Sequence, residues 1–178
     1  MNRTRLLIAV FALAASAAGA LDADQVQISY DLKMGTHQIS GVSHALEWQT
    51  AALDAERAQV RVRVPIDSFD SGHADFDSVL RKALDADHHP FVQIEGVARD
   101  GQLEGTLELA GVVRPIVVRL HLERVAVHLV AIASFTVDLR DHGIVLEGVD
   151  PRLSVEALVR LTTNPDAVLA GGFTRTSN

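Results

Sequence analysis

The segment from Ser71 to Phe91 carries the side chains of this sequence that are most able to do chemistry. It reads SGHADFDSVLRKALDADHHPF and contains three histidines and four aspartates. Histidine is the commonest metal ligand among side chains and a frequent general base near neutral pH. His73, His88 and His89 therefore raise two hypotheses, a metal site and an acid–base site.

The spacing of these histidines favours neither hypothesis. Adjacent His88 and His89 point to opposite sides of an extended chain. The segment contains no His-x-His, no His-Glu-x-x-His and no His-x₃-His pair. Pro90 favours an extended conformation at His89, which is typical of a turn that leads into a strand. We therefore expect no metal site and no catalytic residue here.

The centre of the segment has the period of a short amphipathic helix. Apolar residues recur at positions i, i+3, i+4, i+7 and i+8, namely Phe76, Val79, Leu80, Ala83 and Leu84. Asp75 can cap this helix, and Asp77 favours its positive N-terminal end. Arg81 lies one turn after Asp77 and can pair with it. A single helix with an apolar underside predicts a lid over one end of a sheet or barrel.

Most of the remaining chain alternates apolar and polar residues with the period of a β-strand. About eight strands are predicted, at residues 25–34, 37–49, 60–67, 91–98, 102–109, 116–123, 126–140 and 152–162. Asp100-Gly101 is a hairpin signal, and short connections favour antiparallel neighbours. Such strands hide their apolar face in a barrel or a sandwich, here with the helix inserted between the third and fourth strands.

Residues 1–20, MNRTRLLIAVFALAASAAGA, have the layout of a secretory signal peptide. Two arginines precede an apolar run, and Ala18-Gly19-Ala20 is a small-residue cleavage site. An uncleaved membrane anchor is the alternative. The chain contains no cysteine, which excludes a lipid-modified lipoprotein, disulfides and cysteine catalysis. We predict an exported domain at residues 21–163 and a flexible tail at residues 164–178.

The charge balance argues against two classes of partner. The formal net charge is −7 for the whole chain, and it becomes −9 when Arg3 and Arg5 leave with the signal peptide. Lys33 and Lys82 are the only lysines. We therefore expect no nucleic-acid partner and no polybasic membrane patch. The oligomeric state stays open, with a dimer as one option.

The predicted inner face is aliphatic, and in places it is small. Four small residues lie in phase with leucines and valines: Gly105, Ala131, Ala133 and Ala157. Small residues inside a barrel can leave a cavity, or larger neighbours can fill the space. If a cavity forms, Tyr30 and His44 are candidate polar contacts for a ligand, although a lone histidine on an apolar face is more often a hydrogen-bonded core residue.

Four motifs occur in an order that resembles the YceI-like family of polyisoprenoid-binding periplasmic proteins, over roughly residues 26–162. The first is PIDSFDSGHADFDSVLRKALDADHHPF, in which Asp77, Leu80 and Arg81 form the acid-x-x-Leu-Arg helix motif of the lid. The second and most specific is GTLELAGVVRPIVVRL, with Arg114 and Pro115 in place. The third and fourth are LRDHGIVL and LSVEALVRL.

This resemblance implies an all-β, eight-stranded antiparallel lipocalin-like barrel in the periplasm, with a tunnel for an isoprenoid chain. The expected ligand is an isoprenoid quinone or polyprenyl lipid, held for carriage or sequestration, with no cofactor required. The predicted tunnel lining consists of Tyr30, His44, Leu46, Trp48, Val62, Leu107, Val118, Leu120 and Phe135.

Two other functions stay open at this point. One is a filled barrel that acts as a structural or stress-related interaction protein. The other is an enzyme that uses His44, His73 or His142 with a nearby carboxylate as general base. The sequence offers no nucleophile elbow and no Gly-rich phosphate loop for the second.

Overall fold

Nine strands of six residues or more form one antiparallel sheet in the computed structural model, which describes residues 19–20, 26–54, 56–125 and 128–162. A two-residue strand, β1 (Gly19–Ala20), pairs with one edge of this sheet. The longer strands are β2 (Val26–Met34), β3 (His37–Ser43), β4 (Glu47–Ala52), β5 (Ala58–Pro65), β6 (Phe91–Arg99), β7 (Gln102–Leu109), β8 (Val112–Val125), β9 (His128–Asp138) and β10 (Arg152–Thr162). Their order across the sheet is β1-β4-β5-β6-β7-β8-β9-β10-β2-β3.

The expected count of eight strands is wrong, because residues 37–49 contain two strands instead of one. The strand is interrupted at residues 44–46, where the chain passes from β3, at one edge of the sheet, to β4 near the other. The sequence pattern placed His44 on the same face as Trp48, but the side-chain phase shifts at the break. In β3 the buried residues are Gly41 and Ser43, whereas in β4 Trp48 faces inward.

The sheet curls so that the end of β3 lies near the start of β4, and no ladder joins these two strands among the described residues. Ser43 ends β3 and Glu47 begins β4, and four residues span at most about 14 Å. The fold is therefore a curled half-barrel, where the sequence predicted a barrel. We call the gap between the edge strands β3 and β4 the seam.

The segment that follows β5 fills part of the seam. It contains a short 3₁₀ helix, Ile66–Ser68, and then Phe69 and Asp70. Val42 in β3 exchanges two backbone hydrogen bonds of 2.8 Å with Asp70. The Ser43 and Ser68 hydroxyl oxygens lie 2.7 Å apart. These contacts join the outer edge of β3 to the segment that follows β5.

The helix α1 (Ala74–Ala83) lies between β5 and β6 in the chain and packs against the core of the curled sheet. Leu80 and Leu84 are buried in a core cluster with residues of β2 and β7, and Phe76 packs against it. Val79 was expected on the same stripe, yet it is 52% exposed. In the described residues no helix has the length and hydrophobicity of a membrane span.

The start of α1 differs from the expected capping. His73 is the N-cap residue and makes no side-chain cap, so Asp75 does not have that role. Asp77 is buried and accepts hydrogen bonds from the Ser71 backbone N–H at 3.1 Å and the Ser71 hydroxyl at 2.7 Å. No ion pair joins Asp77 to Arg81 within 4 Å. Asp77 thus anchors the loop that leads into the helix.

Candidate ligand-binding site

An apolar cavity of about 220 Å³ lies inside the curled sheet. Every strand from β2 to β10 except β3 contributes to its wall, together with Phe69 and two residues of the helical segment, Leu80 and Leu84. The lining side chains are all aliphatic or aromatic. Among the described residues of this wall, only Tyr30 and Trp48 carry a polar side-chain atom.

The cavity exists because small side chains meet on the inner faces of β9 and β10. Ala133 is paired across the strands with Ala157 on one side and with Leu120 of β8 on the other. Ala131 lies two residues along the same face of β9 and also lines the cavity. Opposing residues in a ladder are about 5 Å apart, so paired alanines leave space that larger side chains would fill.

Eight of the nine predicted lining residues border this cavity. They are Tyr30, Leu46, Trp48, Val62, Leu107, Val118, Leu120 and Phe135. His44 does not line it: its side chain is exposed, and its Nδ1 lies 2.8 Å from the Val26 carbonyl oxygen. A carbonyl oxygen only accepts, so the ring nitrogen donates this bond.

The lid residues have three different environments. Leu80 borders the cavity, Asp77 holds the Ser71 loop, and Arg81 is half-buried on the helix away from the cavity wall. Phe69 also lines the cavity, although no periodic pattern marks that loop in the sequence. Its position follows from the strand pairing of Asp70 with Val42, which is a tertiary contact.

Tyr30 has an unusual environment at the seam. Its ring packs edge-on against Phe69, with 5.5 Å between centroids, and lies over Gly41 of β3. Burial raises the pKa of the phenol to about 12, and the negative charges of Asp77 and Asp70 act in the same direction. The Tyr30 hydroxyl and Trp48 Nε1 are both buried, and neither has a hydrogen-bond partner in the described part of the chain.

His73, His88 and His142 lie outside the cavity wall. His88 Nδ1 lies 2.7 Å from Asp85 Oδ1, which raises the pKa of the imidazole. His142 is buried, and its Nδ1 lies 2.9 Å from the Val112 carbonyl oxygen. His73 is exposed at the start of α1. The residues that the structure describes include no group of three His, Asp or Glu side chains that could hold a metal ion.

Two of the sequence motifs meet in space. Arg114 Nε donates to the Asp141 carbonyl oxygen at 2.8 Å, and His142 reaches Val112 on the same strand. This contact packs the 3₁₀ helix Leu139–His142 against the start of β8. Leu139 shares a core cluster with Leu80 of α1, so both motifs lie near this helix.

The comparisons with known proteins agree with this architecture. A family model described as YceI-like domain matches residues 20–166. No curated protein matches the chain in sequence.

Several solved structures share the fold at low sequence identity. BcnA of Burkholderia cenocepacia is 13% identical, with a TM-score of 0.67 over 80% of this chain and 99% of that one. A polyisoprenoid binding domain from Saccharophagus degradans, implicated in plant cell wall breakdown, is 12% identical, with a TM-score of 0.66 over 83% and 100%. The YCEI protein of Campylobacter jejuni is 15% identical, with a TM-score of 0.55 over 72% and 88%.

Proposed function

This chain belongs to the YceI-like domain family, and we propose that it binds an isoprenoid-type lipid, a quinone or a polyprenyl lipid, inside the curled sheet. The bound lipid is carried or sequestered, and it is not chemically changed. One observation carries the proposal: the cavity of about 220 Å³ has a wall of aliphatic and aromatic side chains.

An apolar wall of this kind binds a hydrocarbon chain without directional contacts. Each buried methylene contributes about 0.8 kcal/mol. Ten methylenes thus contribute roughly 8 kcal/mol before the loss of the ligand's translational and rotational freedom is subtracted. The space also favours a ligand carrier over a filled structural barrel, because a filled barrel leaves no room for a chain.

Binding is favoured over catalysis by the contacts of the candidate general bases. His44 and His142 each use Nδ1 in a hydrogen bond to a backbone carbonyl oxygen. Neither of them lines the cavity, and neither does His73. A general base must reach the proton that it abstracts, so these positions support a binding protein that needs no cofactor.

The proposed site of action is the periplasm, reached with the signal peptide at residues 1–20. Residues 1–18 lie outside the described residues, but Gly19 and Ala20 pair with Trp48 and Glu47 at the edge of β4. Cleavage after Ala20 would remove β1 and leave the β4 edge of the seam unpaired. N-terminal sequencing of the periplasmic fraction should give Leu21 as the first residue; a cytoplasmic protein that begins at Met1 would contradict export.

The binding proposal is tested by native mass spectrometry of protein that is exported and purified without detergent. We expect a stoichiometric mass excess that extracts into organic solvent and is identified as an isoprenoid. A protein with the mass of the bare chain, unchanged after incubation with an isoprenoid quinone, would overturn the proposal and favour a filled barrel.

A further inference from the structure

The two unpaired polar atoms of the site lie on residues that occur once in the sequence. Tyr30 is the only tyrosine and Trp48 the only tryptophan. Both side chains line the cavity, while the Tyr30 hydroxyl and Trp48 Nε1 find no hydrogen-bond partner among the described residues. Buried polar groups in folded proteins nearly always have a partner. A partner that is not part of the chain would explain why both remain unpaired.

Both residues lie next to the seam, on opposite sides of it. Trp48 belongs to β4, one edge of the gap. Tyr30 belongs to β2, but its hydroxyl extends over β3, the other edge: a Cβ on Gly41 would come within 2.3 Å of it. Phe69 packs against the core cluster that contains Tyr30 and also against the cluster on which Trp48 packs. The unpaired atoms therefore mark one region of an otherwise carbon-lined cavity.

The chemistry of these atoms specifies what they can bind. The indole N–H only donates, and the phenol O–H can donate. The complementary ligand group is thus an oxygen that accepts hydrogen bonds. A negatively charged oxygen fits poorly for two reasons. Burial disfavours an unpaired anion, and the negative charges of Asp77 and Asp70 oppose a further negative charge at the Tyr30 hydroxyl.

We infer that the seam is a recognition site for the polar end of the ligand, where Tyr30 and Trp48 donate hydrogen bonds to an uncharged acceptor oxygen such as a carbonyl. This inference rests on the proposed function, since the apolar remainder of the ligand occupies the cavity. It deepens that function by selecting a neutral carbonyl-bearing lipid over a lipid that ends in a carboxylate or a phosphate.

The test uses two volatile probes of equal chain length, undecan-2-one and undecane, with the intact protein. Headspace gas chromatography measures the free concentration of each probe over protein and over buffer. In Tyr30→Phe and in Trp48→Phe, the affinity for undecan-2-one should fall about tenfold, which corresponds to one lost hydrogen bond. Undecane has no acceptor oxygen, so its affinity should fall about ten times less than that of undecan-2-one in the same variants.

Two controls separate hydrogen bonding from packing and from charge. Val118→Ala removes two methyl groups from the apolar wall. This loss of apolar contact should weaken the binding of both probes by the same factor. Undecanoate, added as a competitor, should fail to release undecan-2-one into the headspace. Circular dichroism confirms that each variant is folded.

The possible failures are distinguishable. If Tyr30→Phe and Trp48→Phe weaken the binding of both probes equally, the recognition site is wrong and the apolar cavity stands. If undecanoate displaces undecan-2-one efficiently, the selection of an uncharged end is wrong. If neither probe binds the unmodified protein, the proposed function fails and this inference fails with it.

Discussion

Filling the cavity from the protein side should exclude the ligand and stabilise the empty protein at the same time. Ala133 lies at the centre of the small-residue patch, between Leu120 and Ala157, and faces the cavity of about 220 Å³. Ala133→Leu adds three carbon atoms to that space. At about 0.8 kcal/mol for each buried methylene, the substitution should raise the free energy of unfolding of the ligand-free protein by up to about 2.4 kcal/mol.

The ligand loses the same space that the leucine gains. Displacing three methylenes of the ligand costs it about 2.4 kcal/mol, which is roughly a 50-fold loss of affinity. Ala133→Val adds two carbons and should give intermediate values, with a stabilisation of about 1.6 kcal/mol and a loss of roughly 15-fold. The stabilisation of the ligand-free protein and the loss of ligand affinity should therefore both increase from Ala133→Val to Ala133→Leu.

The assay combines urea denaturation of the ligand-free variants with headspace measurement of undecane binding. Thr136→Leu is the matched control, because Thr136 lies on the exposed outer face of the same strand and should not change binding. If Ala133→Leu lowers the free energy of unfolding, the space is too small or already filled. If it leaves undecane binding unchanged, the ligand lies elsewhere.

Three further predictions concern the seam and the turn that follows α1. Gly41→Ala should lower the free energy of unfolding by about 1–3 kcal/mol in urea denaturation, because the new Cβ would lie 2.2 Å from Tyr30 Cζ; Tyr30→Ala in the same chain should recover part of that loss, and no recovery would mean that the clash is elsewhere. The pKa of Tyr30, about 12, exceeds the ordinary value of 10.0. Its neutral form therefore stabilises the fold fully below pH 10, and this contribution is lost as the pH rises through about 12; absorbance at 295 nm should show little ionisation of the folded protein at about pH 11, whereas near-complete ionisation there would contradict the burial. Asp85→Asn should lower the pKa of His88 towards its ordinary value, since the hydrogen bond and charge of Asp85 raise it; NMR titration of the imidazole tests this, and an unchanged pKa would show that the contact is absent in solution. The small stabilisation from this exposed pair is present at acidic pH and is lost as the pH rises through the raised pKa of His88.

The strands could be predicted because their pattern is local. Val26, Ile28, Tyr30 and Leu32 alternate with polar residues, and all four are buried in β2. The same alternation places Ala131, Ala133 and Ala157 on the predicted inner faces of β9 and β10, and all three line the cavity. The eight lining residues named above were accessible to sequence reasoning for this reason.

The errors occurred where a non-local contact overrides a local pattern. Val42, Leu46 and Trp48 keep one phase through residues 42–48 of the sequence, yet the chain crosses the seam there and changes phase. His44 therefore faces solvent and binds the Val26 carbonyl oxygen. Val79 fits the helical stripe, but it is exposed, whereas Leu80 and Leu84 on the same stripe are buried. No periodicity marks Phe69, because its place in the cavity depends on the pairing of Asp70 with Val42.

By itself the amino-acid sequence determined the all-β class, most of the inward-facing side chains, the family motifs and the absence of cysteine chemistry. These depend on residue type and on a period of two or 3.6 residues, which are local properties. Only the tertiary structure decided that alanines meet to leave a cavity, that no ladder closes the seam among the described residues, and that Tyr30 and Trp48 find no hydrogen-bond partner within that part of the chain. These depend on which residues of distant strands lie together, and packing determines that.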